Sequence, residues 1–302
     1  MDLAPICLFT YNRLETTKKS VESLRNCLLA SESDLVIFSD GPKNSNDANY
    51  VRAVREYLKT VNGFKSILIK ESIENKGLAN SIISGVSEVI NSKGRVIVLE
   101  DDLIVSASFL SFMNESLDYY AHKGVFSITG FSLRIKMPTS ETDVYFTGRA
   151  SSWGWATWSS VWSMCDWEMA DYDDFKSSRK QRRKFDRWGS DMSHMLDKQM
   201  AGKLNSWAIR WCYSQFKLGM LTVVPRVSLV RNAGFGNLAS NTIGVDRYPV
   251  IFDDGSIKKF RFSSPKVDEQ VRKQFTKYYS FLYRAFFSVV DRISRFMSRS
   301  FG

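Results

Sequence analysis

Five short apolar runs, most of them followed by a stretch of helical periodicity, fill the first 138 residues and leave few folds open. "PICLFTY" leads into "LETTKKSVESLRNCLL", where Val21, Leu24 and Leu28 share one side of a helix. "DLVIFSDG" precedes "NYVRAVREYLKTV", and "KSILIKE" precedes "GLANSIISGVSEVI". "RVIVLED" precedes "SASFLSFMNESLDYY", with Ser106 or Ser108 as the expected helix cap, and "GVFSITGF" is the fifth run. Strands separated by helices of this length pair in parallel, with helices on both faces. The expected fold class is α/β, a mostly parallel sheet flanked by helices, with a mixed second half and a C-terminal helical tail.

Ligands of such a sheet lie at the carboxyl ends of its strands. The first strand ends in Thr10, Tyr11, Asn12 and Arg13, and the second in Ser39, Asp40 and Gly41. The third helix opens at Asn75, Lys76 and Gly77. The fourth strand ends in three consecutive acids, Glu100, Asp101 and Asp102, flanked by apolar residues on both sides. Adjacent carboxylates repel one another, and burying one is costly unless it is paired or holds a metal. The acids are therefore expected to face a crevice, where a hard divalent cation, Mg2+ or Mn2+, takes one or two carboxylates and completes its shell with substrate phosphates. Arg13 and Lys76 supply positive charge for the same phosphates.

The character changes after about Thr139. "SSWGWATWSSVWSMCDW" is dense in tryptophan, a basic run "KSSRKQRRK" spans Lys176 to Lys184, and "NSWAIRWCYSQFKLGM" reads as a helix. "LTVVPRVSLV" reads as a strand and "RNAGFGNLASNT" as a loop. From Val267 onward Phe275, Tyr278, Tyr279, Leu282, Phe286, Val289, Val290, Ile293, Phe296 and Met297 recur at helical spacing. The expected divisions are residues 1–138, 139–262 and a basic amphipathic tail, 263–302.

Four scattered cysteines without zinc or redox spacing read as reduced core residues of a cytosolic protein. Two histidines leave little room for a histidine-rich metal site or a histidine-based triad. The opening "MDLAPICLFTYNR" lacks the basic and apolar regions of a signal peptide, and no run approaches the length of a membrane span. The net charge is +10, and after residue 257 eleven Lys and Arg face three acids. Such a tail suits an anionic membrane surface. No nucleic-acid-binding motif accompanies the charge.

Several segments, in order, resemble glycosyltransferases of the GT-A fold, near the family-2 type. "FTYNRLETTKKSVESL" resembles their opening strand and helix, and "ENKGLANSIISGV" their third-helix motif. "VLEDDLIVSASFLSFM" resembles the metal-binding segment of the Golgi N-acetylglucosaminyltransferase that initiates complex N-glycans. "SWGWATWSSVW" and "VVPRVSLVRNAGFG" resemble its acceptor half and closing loop. The chain to about Thr242 is similar to bacterial glycosyltransferases of surface-polysaccharide synthesis.

The resemblance implies a metal-dependent, inverting transfer from a nucleotide-diphosphate sugar, a UDP-sugar first, to a glycan or lipid-linked oligosaccharide at the inner face of a bacterial cytoplasmic membrane. It makes Asp102 the metal ligand and places Glu100 and Asp101 on ribose or donor sugar. Asp40 would read the base, Arg13 and Lys76 would meet nucleotide and phosphates, and Thr10 and Asn12 would line the pocket. Trp153, Trp155 and Trp207 are the expected acceptor-side residues. Where relatives carry an Asp just before the "SWAIRW" segment, this chain has Asn205; Asp191, then Asp166, are the remaining candidates for the base. Thr242 follows Asn241 where relatives often have histidine. A nucleotide-sugar-binding protein without catalysis and a sugar nucleotidyltransferase are the alternatives; the second would want glycines that "TYNRLETTKK" lacks.

Overall fold

A computed structural model describes residues 2–233, 247–256 and 259–300, with backbone only for 291–300. Of the expected loop from Arg231 to Thr242, Arg231 and Asn232 belong instead to a short strand, and residues 234–242 lie outside the described residues, as do the side chains of Ile293, Phe296 and Met297.

Alternation of strand and helix appears as the sequence predicts. Strands β1 (Ile6–Thr10), β2 (Asp34–Ser39), β3 (Ser66–Glu71) and β4 (Arg95–Glu100) are separated by helices α1 (Leu14–Arg25), α2 (Ser45–Leu58) and α3 (Leu78–Lys93). They lie in the order β3-β2-β1-β4, all parallel. The short β5 (Leu103–Val105) then leads into α4 (Phe109–Tyr120) and β6 (Val125–Thr129). β7 (Val144–Thr147) and β8 (Trp155–Trp158) follow, then the helices α5 (Ser159–Trp162), α6 (Tyr172–Ser177), α7 (Arg179–Phe185), α8 (Met192–Met200) and α9 (Trp207–Leu218). β9 (Leu221–Pro225), β10 (Val230–Asn232), α10 (Glu269–Lys277) and α11 (Phe281–Ser300) complete the described elements.

One sheet of eight strands runs through both halves, continuing β4-β8-β6-β9-β7. β8 enters antiparallel between β4 and β6, and β7 lies antiparallel to β9 at the far edge. Six strands point one way and two the other, so the sheet is mixed but mostly parallel. Both faces are covered, and β1 shows how: Ile6 and Leu8 pack with α1, α2 and α4, while Cys7 and Phe9 pack with α3 and α9. β4 is buried from Val96 to Leu99. An apolar run that does not alternate is what a strand covered twice requires.

Ser108 occupies the cap position of α4 without a side-chain cap bond. The hydroxyls of Ser106 and Ser108 are both buried without a partner, and the first turn is closed instead by Phe109 N–H donating to the Ser106 carbonyl at 3.1 Å.

Candidate active site

Strand order reverses between β1 and β4, where consecutive loops leave the sheet in opposite directions and open a crevice. A crevice of about 280 Å³ lies there, walled by Phe9, Phe38 and Leu78 on its apolar side and by Arg13, Asn75 and Glu100 on its polar side. A smaller compartment of about 140 Å³ adjoins it past Phe38 and Asp40, with Lys76 in its wall. Phe9 and Phe38 stack at 4.9 Å with planes 8° apart. Gly85 of α3 admits this pair, because a Cβ there would come within 2.8 Å of the Phe9 ring.

The partner of the three acids is Arg13. Its guanidinium pairs with Asp101 and, at 3.1 Å, with Asp102. Asp101 is buried and also accepts from Tyr11 N–H at 3.2 Å, which ties the end of β1 to the end of β4. One guanidinium against three carboxylates leaves negative charge over. Burial, then Asp102 and Asp101, push the Glu100 carboxyl up to about 8. Burial also lifts Asp101 above its ordinary value despite Arg13.

Among the described residues no three Asp, Glu, His or Cys side chains converge as a metal cage. The donor set fits a hard cation that takes one or two protein carboxylates and the rest of its shell from phosphate and water. The excess of anionic oxygen around Asp102 is the feature that suits it.

Asp40 has a different job from the one its position suggests. Its Oδ1 accepts from Gly41 N–H and Lys76 N–H, each at 2.9 Å. Its Oδ2 accepts from Gly77 N–H at 2.9 Å and from Asn75 Nδ2 at 3.2 Å. Four donors fill a carboxylate's ordinary acceptor capacity. Asp40 therefore builds the turn before α3 and has no lone pair left for a base. Gly41 must be glycine, since a Cβ would meet the Glu74 carbonyl carbon at 2.5 Å, and Gly77 holds a φ of +73°.

The turn leaves one group open. Asn75 Nδ2 also donates to the Gly41 carbonyl at 2.8 Å. Two oxygens around the NH2 group fix which way the amide faces. Its Oδ1 has no partner among the described residues, and Asn75 lines the crevice.

No protein-family model matches the chain, and no curated protein matches it in sequence. Among solved structures it is similar to a mannosyltransferase, PcManGT, from Pyrobaculum calidifontis in complex with GDP-Man and Mn2+, at 13% identity and TM-score 0.30, over 42% of this chain and 37% of that one. It is also similar to S. aureus TarS, at 11% identity and TM-score 0.32, over 46% of this chain and 23% of that one. For TarS 1-349 the values are 10%, 0.31, 46% and 39%. The chain spans less than half the length of each.

Thr10, Arg13, Asp40, Glu100 and Asp101 thus meet at one crevice. Lys76 joins them through the adjoining compartment, its side chain exposed. Asn12 donates instead to Asp47 at 3.3 Å, and Asp102 lies beside the crevice on Arg13. The proposed bases stand apart. Asp191 is buried in a two-pronged pair with Arg149, at 2.8 and 3.0 Å, and does not line the crevice. Asp166 caps a turn by accepting from the N–H groups of Glu168, Met169 and Ala170.

The tryptophans divide. Trp155 and Trp207 are 0% and 3% exposed and pack on each other, Trp155 also on Trp162 and Trp211, so neither has a face free for a sugar. Trp153 is half-buried, against Phe131 at 4.6 Å and Tyr248 at 5.9 Å. Trp153 lies two residues before Trp155, which pairs with Val98 near the end of β4. Sequence reasoning did not single out Asn75, Phe38 or Lys43 as site residues. Lys43 lines the crevice and is exposed, just before the cap of α2. The signal for Asn75 is its place one residue before Lys76 in a turn that an acid had to hold.

Proposed function

We propose that the chain is a metal-dependent, inverting glycosyltransferase. In this reading it moves a sugar from a nucleotide-diphosphate donor, a UDP-sugar first, to a glycan or lipid-linked oligosaccharide of bacterial polysaccharide synthesis. The observation that carries it is the meeting, at one crevice beside the strand-order reversal, of an acid cluster with excess negative charge and a base-sized apolar slot. The sequence resemblance supplies the reaction class.

Each side chain then has a task. Phe38 and Leu78 flank the base, and the fixed Oδ1 of Asn75 accepts from a ring N–H such as the uracil imide. Lys43 and Lys76, both exposed, offer positive charge to the diphosphate. Asp102, with Glu100 beside it, would hold a divalent cation, which when bound neutralises charge on the departing diphosphate. Arg13 orients Asp101 and Asp102. Trp153 borders the acceptor side. The acceptor would be presented at the inner face of the membrane.

A second reading, a nucleotide-sugar-binding protein without catalysis, is favoured by one observation: both carboxylates nominated as base, Asp166 and Asp191, are committed to structural bonds. Release of nucleoside diphosphate from a panel of donor sugars, with Mn2+ and membrane extract as acceptor source, separates the two. The transferase reading expects turnover that falls at least about 100-fold in Asp102→Ala, the scale of losing a charge-stabilising group. Donor binding without turnover would favour the second reading.

A further inference from the structure

The structure gives the excess positive charge a place. Helix α7 carries Arg179, Lys180, Arg183 and Lys184, all exposed, and none is in an ion pair among the described residues. Arg182 alone of that helix's cations turns inward, pairing with Asp197 at 2.7 Å. An unpaired cluster of four cations in seven residues costs self-repulsion unless something anionic meets it.

Its neighbour is the C-terminal helix pair. α7 runs directly into residues 186–188, which pack on α10. Arg187 pairs with Glu269 of α10 at 2.6 Å. A few residues on, Ser190 Oγ donates to the Tyr279 carbonyl at 3.1 Å and accepts from Arg284 at 3.1 Å. The basic helix and the first turn of α11 are thus fastened to one junction. Lys273 and Lys277, exposed and one turn apart on α10, extend the positive charge along it.

α11 is docked on one side only. Tyr283, Arg284, Phe287, Ser288 and Val290 are half-buried. Phe281, Leu282, Ala285, Phe286 and Val289 are exposed, and at 3.6 residues per turn they form one arc of about 140°. Phe281 and Leu282 are 70% and 80% exposed. No described helix is long and apolar enough to cross a membrane. An apolar ridge beside unpaired cations matches a surface that is apolar within and anionic at its face.

We propose that α7, α10 and the outer ridge of α11 form a single docking face for an anionic lipid bilayer, with the ridge entering the interface and the α7 cations over the headgroups. The ridge selects lipid over a nucleic acid or an acidic glycan, which would use the charge and leave the aromatics wet. The face is distinct from the crevice and does not depend on the sugar-transfer reading.

Co-sedimentation of the full chain with phosphatidylcholine vesicles, with and without phosphatidylglycerol, tests it. Binding is expected only with the anionic lipid. Leu282→Asp/Phe286→Asp and, separately, Lys180→Glu/Lys184→Glu should each weaken it by about tenfold or more. All four positions are exposed, so thermal stability and nucleotide binding should stay unchanged. Equal binding to neutral vesicles, or none to either, overturns the proposal. So does loss of a dimer, rather than of vesicle binding, in the ridge variant. An α7 variant that loses affinity for single-stranded DNA but not for vesicles overturns it too.

Discussion

Asp40 holds four donors and Asn75 keeps one acceptor open, and together they divide the work that a single strand-end acid suggests in the sequence. Removing Asp40 should strand three backbone N–H groups; Asp40→Ala is expected to cost about 3 kcal/mol by urea denaturation and to weaken nucleotide binding. Asn75 should act on specificity. UDP methylated at the ring N3 should bind about tenfold more weakly than UDP to the wild type, and Asn75→Ala should bind both alike. An equal methylation penalty in both proteins would remove Asn75 as the base reader while leaving the crevice its nucleotide. At this scale the sequence shows which residues gather at the strand ends, because strand-end position follows from the hydrophobic pattern. It does not show Asp40 bonded back to residues 75–77, because that contact closes over 35 or more positions and depends on where β3 ends.

The insertion of β8 is what brings the tryptophan-rich segment beside the acids. Its four residues, "WATW", are too few for a pattern, and aromatic density reads mostly as core, with one or two rings left as a sugar platform. The structure makes it mostly core: Trp155, Trp207 and Trp211 fill the space between β8 and α9. A second buried feature joins α8 to the C-terminal segment. Arg149 lies 3.9 Å from the Tyr279 ring centre while pairing with Asp191. Burial alone would raise the Asp191 carboxyl, but the charge and hydrogen bonds of Arg149 outweigh it and hold the group below its ordinary value. A depressed folded-state value means the stabilisation is complete above about pH 4, the unfolded value, and fades as pH falls through the folded one. Asp191→Asn should therefore already be weaker by about 3 kcal/mol at neutral pH, with buried Arg149 unpaired, and should lose less than the wild type on acidification. Denaturation curves at neutral and acid pH check both halves of that statement.

Across the whole molecule one mostly parallel sheet joins the two halves, and the crevice opens beside its reversal point. Parallel pairing among β1 to β4, though not their order, was readable from strand-helix alternation, because crossovers of that length enforce it. The antiparallel entries of β7 and β8 were not, since they come from long-range pairing that no local pattern encodes. The positive charge, diffuse in composition, gathers on α7 and the C-terminal helices, away from the crevice. At the acid cluster Asp101 and Asp102 outnumber the single Arg13 guanidinium, so a diphosphate should bind there only in company with a cation. The direct test is thermal denaturation with UDP, GDP, CDP and ADP, each with and without Mn2+, on the wild type and on Asp102→Ala. Stabilisation by UDP or GDP that requires Mn2+ and disappears in the variant is the expected result. Stabilisation of equal size without the metal, or unchanged in Asp102→Ala, would contradict the assignment of the acid cluster.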